Sequence, residues 1–299
     1  MTTIAARMQA VRSRIDAAAR TAGRSPQDIR LIAVSKTFAP AVIVQAHAAG
    51  QTAFGENYLQ EAIGKIAAFS DLDLIRHVAR GRQDIEQRQG DVRPSAGVRQ
   101  RDVDAALGEA AEQAHGSASS VARAGVPRSG ASSPEGPLLL PLEWHFIGPI
   151  QSNKTRQIAE LFHWAHAIDR LKIAERLSSS RPAGLPPLQI CIQINVSGEA
   201  SKSGMRPEEA LALAQAITAL KGVQLRGLMA IPEPTPDIGL QRARFRQIRE
   251  LKDEIVSCGI ALDTLSMGMS DDLEAAIAEG ATLVRVGRAI FGERPLSPA

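Results

Sequence analysis

Strand-like and helix-like segments alternate almost without interruption along this chain, and that alternation restricts the fold more than any other feature. Ile29 to Val34 is nearly continuous in apolar residues, the pattern of a parallel strand buried on both faces. Comparable segments recur at Thr52 to Phe54, Glu143 to Ile147, Trp164 to Ile168, Leu188 to Ile194, Val223 to Met229, Ala261 to Leu265 and Thr282 to Val286, which makes eight. Each is followed by a helix-like stretch, and no run of strands stands alone. Strict alternation predicts a parallel sheet, and the count predicts closure into a single (β/α)8 TIM barrel. A doubly wound open sheet is disfavoured because the first strand-to-helix turn, Val34-Ser35-Lys36-Thr37, has no glycine fingerprint. An extra amphipathic helix precedes the barrel, with Ile4, Met8, Val11 and Ile15 at helical spacing among Arg7, Arg12 and Arg14. That arginine-studded start is unlike a secretory leader, so a cytoplasmic location is expected.

One segment departs from the rhythm. From about 73 to 141 the chain is rich in Arg, Gln, Gly, Ala and Ser, has no aromatic residue, and carries only a weak helical pattern around Asp102 to Ala114. This composition predicts a disordered insertion between the second barrel helix and the third strand of an otherwise single domain spanning 1–299. In a barrel it would hang from the face opposite the carboxyl ends of the strands, dispensable for ligand binding there; a partner-binding arm is the rival reading. The net charge of +3 is small, and the basic residues are scattered without an aromatic platform, so neither nucleic acid nor a membrane is expected as a partner. Cys191 and Cys258 are too few for a disulfide framework or a thiolate metal site.

In a TIM barrel the chemistry gathers at the carboxyl ends of the strands. Lys36 ends the first strand, where the cost of desolvating an ammonium can lower its pKa and make the amine nucleophilic toward a carbonyl. Strands seven and eight end in Ser266-Met267-Gly268-Met269-Ser270-Asp271-Asp272 and Arg285-Val286-Gly287-Arg288. Loops in those positions often bind phosphate, with Ser266 offering a hydroxyl and Gly287 and Arg288 opening the last helix. Asp271 and Glu274 have the spacing of a capping box. A phosphate site combined with a strand-end lysine suggests pyridoxal 5′-phosphate (PLP). Arg285 is the candidate donor to its pyridine nitrogen, an arrangement that keeps the nitrogen unprotonated and weakens the electron sink. Asn57 suits either the ring hydroxyl or a helix cap. Met229 and Met269 suit either packing or the flat ring, His145 reads as a satisfied structural histidine, and Lys154, Arg156 and Lys202 as anion-steering or merely solvated charges.

The segments LIAVSKT with Lys36, FGENYLQE with Asn57, EWHFIGPIQSNK with His145, NVSGEASKSG with Lys202, RGLMAIP with Met229, LSMGMSDD with Ser266 and Met269, and VRVGRAIFG with Arg285 and Gly287 span nearly the whole chain outside the insertion. In order and spacing they resemble the pyridoxal phosphate homeostasis protein family. The resemblance implies a barrel like the N-terminal domain of alanine racemase, PLP held covalently as an aldimine on Lys36, and a role in vitamin B6 and amino-acid homeostasis without an established reaction. Family members usually carry a small hydroxylated residue where Arg288 stands, so one hydroxyl contact to phosphate is absent here. Racemase-type catalysis is not expected: it needs an opposing acid/base, the only tyrosine is Tyr58, and eight residues follow Phe291. Three readings follow: a PLP carrier or regulator serving PLP-dependent apo-enzymes, a weak racemase-like enzyme using His145 or Tyr58, and a Schiff-base aldolase in which Glu56 assists Lys36 without PLP. A monomer is expected.

Overall fold

The computed structural model describes residues 2–69, 141–196 and 203–293. The expected insertion and Lys202 fall outside these residues, Pro141 excepted.

The leading helix α1 (Ile4–Thr21) buries Ile4, Met8, Val11, Ile15 and Ala19 along one stripe, and Thr3 Oγ1 caps it by accepting from Ala6 N at 3.2 Å. Strand and helix then alternate as the sequence predicts. The order is β1 (Arg30–Val34), α2 (Pro40–Ala48), β2 (Ala53–Glu56), α3 (59–69), β3 (Glu143–Phe146), α4 (Thr155–Leu161), β4 (Trp164–Ile168) and α5 (Leu171–Ser180). It continues with β5 (Leu188–Ile194), α6 (Ala210–Ile217), β6 (Val223–Ala230), α7 (Ile238–Ser257), β7 (Thr264–Ser266), α8 (Leu273–Ala278), β8 (Leu283–Val286) and α9 (Arg288–Phe291). All neighbours pair in parallel, and β8 pairs with β1 to close the barrel, with Ile32 opposite Arg285. Core side chains lie between strands and helices because each strand is buried on both faces.

Gly55 shows which residues lie together. A Cβ at that position would meet Ile32 Cγ2 at 3.0 Å, Ile147 Cδ1 at 3.1 Å and Val34 Cγ2 at 3.6 Å. Ile32, Val34 and Ile147 therefore share one face with Gly55, and Lys36 follows two residues beyond the end of β1, in the turn.

Three details differ from the sequence expectation. Strand β2 runs on through Gly55 and Glu56, because the buried Glu56 carboxylate finds donors inside the protein. Strand β7 is Thr264–Ser266 and not Ala261 to Leu265; Ala261 and Asp263 are exposed, and only the later residues pair with Gly227, Leu228 and Met229 of β6. Ser266 consequently lies within the strand and is fully buried. The Asp271–Glu274 capping box does not form. The cap position of α8 is Asp272, whose Oδ1 accepts from Met269 N at 2.6 Å, while Glu274 pairs with Arg14 at 2.9 Å.

Among the described residues no helix is long and apolar enough to cross a membrane, and no cluster of three or more His, Cys, Asp or Glu is placed to hold a metal ion. Both cysteines are free; Cys191 is buried, which pushes its thiol up to about 12 and leaves it unreactive.

Candidate functional site at the carboxyl end of the barrel

The turn bearing Lys36 is clamped from beneath. Ser35 Oγ donates to Glu56 Oε1 at 2.6 Å, and Lys65 Nζ, from α3, donates to Ser35 O at 2.7 Å, to Glu56 Oε1 at 2.7 Å and to Glu61 Oε1 at 2.6 Å. Thr37 N donates to the same Glu61 oxygen. Lys65 and Glu56 are almost wholly buried, and burial raises the Glu56 carboxyl pKa, with Lys65 and Ser35 opposing. Thr37 has φ 69°, the one positive value at a non-glycine residue among those described. For a β-branched residue that conformation is strained by about 1–3 kcal/mol and persists only where its surroundings enforce it. Here Glu61 holds the Thr37 amide and Lys65 the Ser35 carbonyl, one on each side of Lys36. Lys65 and Glu61 were not singled out from sequence; their signal is an i,i+4 acid–base pair on the helix directly after Glu56.

On the neighbouring strand β8, Arg285 is 4% exposed, and burial lowers its pKa to about 10. Its Nη1 donates to Ser266 Oγ at 2.6 Å and to the Ser266 carbonyl, and its Nη2 to the Ala230 carbonyl at 2.9 Å. Ser266 Oγ is also 2.8 Å from His166 Nδ1. His166 Nε2 lies 3.0 Å from His145 Nδ1. His145 Nε2 is 2.8 Å from Glu143 Oε1, in a bent contact. His166 sits in a strand whose other residues are apolar, Trp164-Ala165-His166-Ala167-Ile168, and that single polar interruption was its sequence signal.

The remaining candidates occupy different settings. Asn57 is half-buried, and its Oδ1 is buried without a hydrogen-bond partner. The Asn57 backbone is covered so closely by Gly148 that a Cβ there would stand 2.8 Å from Asn57 Cα. Met229 is fully buried beside Ser266 in the β6–β7 register. Gly287 caps α9 against Val34, and Arg288 is exposed at its first turn. Met269 lines a cavity of about 690 Å³ with Pro234, Ile238 and Asp271. Lys36, Asn57 and Arg285 do not line that cavity, so it lies beside the site. Arg156 is exposed and paired with Glu160, while Lys154 stands at the cap of α4. Tyr58 is 56% exposed, whereas Glu56 is held by Ser35 and Lys65.

At the amino end of the barrel, Arg30 grips Glu143 with two hydrogen bonds of 2.8 and 2.9 Å. Burial works against the Glu143 charge, but His145 and Arg30 outweigh it and hold the carboxyl at about 2, below its ordinary value of 4.5. A depressed carboxyl pKa stabilises the fold above the unfolded value, and the stabilisation is lost as the pH falls toward the folded one. The size is on the order of 2–3 kcal/mol for this partly buried group. Glu143→Gln is therefore expected to be less stable at pH 7 and to lose stability less steeply between pH 4.5 and 2. Denaturant titrations across that range check this, and an unchanged slope contradicts it.

The alanine racemase N-terminal domain family matches residues 7–295. The pyridoxal phosphate homeostasis protein of Pseudomonas aeruginosa is 48% identical over 294 residues, covering 98% of this chain and 97% of that one. Its counterpart in Escherichia coli is 41% identical over 297 residues, covering 99% of each. Among solved structures, PipY of Synechococcus elongatus with PLP bound superimposes with a TM-score of 0.66 at 29% identity, over 97% of this chain and all of that one. The barrel, the lysine that ends its first strand and these full-length likenesses agree: the chain belongs to the pyridoxal phosphate homeostasis proteins, within the alanine racemase N-terminal domain family.

Proposed function

We propose that this chain binds PLP at the carboxyl end of the barrel, with Lys36 bonding its aldehyde covalently. It serves PLP and amino-acid homeostasis in the cytoplasm as a holder of the cofactor, without robust turnover of a substrate. The observation that carries the reading is a buried arginine, Arg285, on β8, the strand that pairs with β1 and so neighbours the turn bearing Lys36. The residues fit the group. Asn57 Oδ1 is a buried acceptor with no protein partner, suited to a ring hydroxyl. Arg285 is a fixed cationic donor suited to a ring nitrogen. The Gly287 turn and the first amides of α9 suit phosphate, with Arg288 adding positive charge but no hydroxyl.

When bound, PLP supplies an aldehyde for amines and an electron-withdrawing ring. The chain's own part is to hold it. Lys65 and Glu61 fix the turn from which Lys36 reaches, and Arg285, always protonated at neutral pH, donates a hydrogen bond and gives up no proton. The groups weighed as proton donors suit that task poorly: Tyr58 is solvent-exposed, and both ring nitrogens of the fully buried His145 face His166 and Glu143. This favours holding over catalysis, with PLP-dependent apo-enzymes as acceptors and the protein acting as a monomer. Glu56, the acid/base an aldolase would need, is committed to Ser35 and Lys65.

Adding PLP to the purified chain is expected to produce a visible absorption band that Lys36→Ala does not develop, with the loaded protein passing PLP to an apo-enzyme. A wild-type chain that stays colourless overturns PLP binding. Turnover of an amino acid by the loaded chain at rates typical of enzymes, about 1 s⁻¹ or more, overturns the holding role.

A further inference from the structure

A polar chain crosses the barrel interior where aliphatic side chains normally fill the layers. It links Arg285 on β8, Ser266 on β7, His166 on β4, His145 on β3 and Glu143 at the start of β3, and both histidines and Ser266 are fully buried. Satisfying every polar hydrogen selects one arrangement of protons. An arginine only donates, so Ser266 Oγ accepts from Arg285, and of the two groups bonded to that hydroxyl only His166 Nδ1 can take its hydrogen. His166 Nδ1 is then an acceptor, which places the ring hydrogen on Nε2, facing His145 Nδ1. His145 in turn carries its hydrogen on Nε2, facing the Glu143 carboxylate.

We infer that His166 and His145 are positioning residues: a relay of two neutral imidazoles, each in the Nε2–H tautomer, that orients the Ser266 hydroxyl toward His166 and so fixes the Arg285 guanidinium for the ring it contacts. Arg285 has no carboxylate among its hydrogen-bond partners. Every link presents its lone pair toward Arg285 and its hydrogen toward Glu143, so the relay conveys the Glu143 charge to the buried cation as aligned dipoles. Around it stand Arg30 on Glu143, His163, Arg226, Cys191 and Asp272. Burial disfavours the charged form of both relay histidines, in keeping with neutral rings.

The consequence for the cofactor rests on the PLP reading, whereas the tautomers do not, and the two are tested separately. In the full chain without PLP, nitrogen-15 NMR of labelled histidines is expected to show His145 and His166 as neutral Nε2–H tautomers that do not titrate between about pH 5.5 and 8.5. An Nδ1–H tautomer or an imidazolium at either residue overturns the relay, whether or not PLP binds. With PLP, His166→Leu is expected to weaken binding about tenfold. His166→Gln, whose amide both accepts from Ser266 and donates to His145, is expected to stay within about threefold of wild type. A folded His166→Leu protein that binds PLP like wild type overturns the positioning role. Should His166→Leu fail to fold, the Gln variant decides: its retention of affinity supports the relay, and a tenfold loss contradicts it.

Discussion

Lys65→Met is expected to destabilise the protein by about 3–5 kcal/mol, although the residue lies outside the expected contact set for the ligand. The ammonium is 3% exposed and is shared among the Ser35 carbonyl, Glu56 and Glu61. Removing it leaves the Glu56 carboxylate, itself fully buried, with Ser35 as its remaining donor. Breaking one side of a buried ion pair costs far more than the pair itself contributes, because the surviving charge stays desolvated. Thermal or denaturant unfolding measures the loss, and a change under 1 kcal/mol contradicts the clamp. Glu56→Gln added to Lys65→Met is expected to recover part of the loss, since a neutral amide is cheaper to bury than a lone carboxylate. The single variant is also expected to slow covalent capture of an aldehyde at Lys36, because the strained Thr37 turn loses one of its two anchors.

Gly227→Ala is the second large effect. Strand β6 passes so near β7 that a Cβ at Gly227 would fall inside contact distance of the Thr264 carbonyl oxygen and 2.6 Å from its carbon. Both are backbone atoms in a register that pairs Gly227 with Thr264 and, two residues on, Met229 with Ser266. No flexible side chain is available to yield, so the strands must part, at a cost of about 3 kcal/mol or more. Because Ser266 carries Arg285, the same shift is expected to weaken PLP binding in any variant that remains folded. Wild-type stability for Gly227→Ala contradicts the close approach.

The barrel was legible in the sequence because strands covered on both faces read as apolar runs, and these recur with helices between them. Their ends were less legible. Burial of Glu56 depends on Lys65, nine residues away on the next helix, and no local pattern along β2 announces it. Strand β7 was misplaced for a similar reason: Ala261 and Leu262 look strand-like, but the pairing surface offered by β6 begins at Thr264. Lys36 and Arg285 could be singled out because strand ends can be read in order. His166 and Lys65 were missed because their roles exist only through contacts between distant strands and helices, with His166 meeting Ser266 100 positions later in the chain. Ser266 was singled out for its place at a strand end, and its contacts with His166 and Arg285 could not be read from that place alone.

The central claim is that Lys36 is the amine to which PLP attaches. Loading the full chain with PLP, reducing it with borohydride and mapping the adduct by peptide mass spectrometry tests this directly. The expected result is one phosphopyridoxyl modification, on Lys36, absent from Lys36→Ala. An adduct on another lysine, or none from a protein that has taken up PLP, contradicts the account.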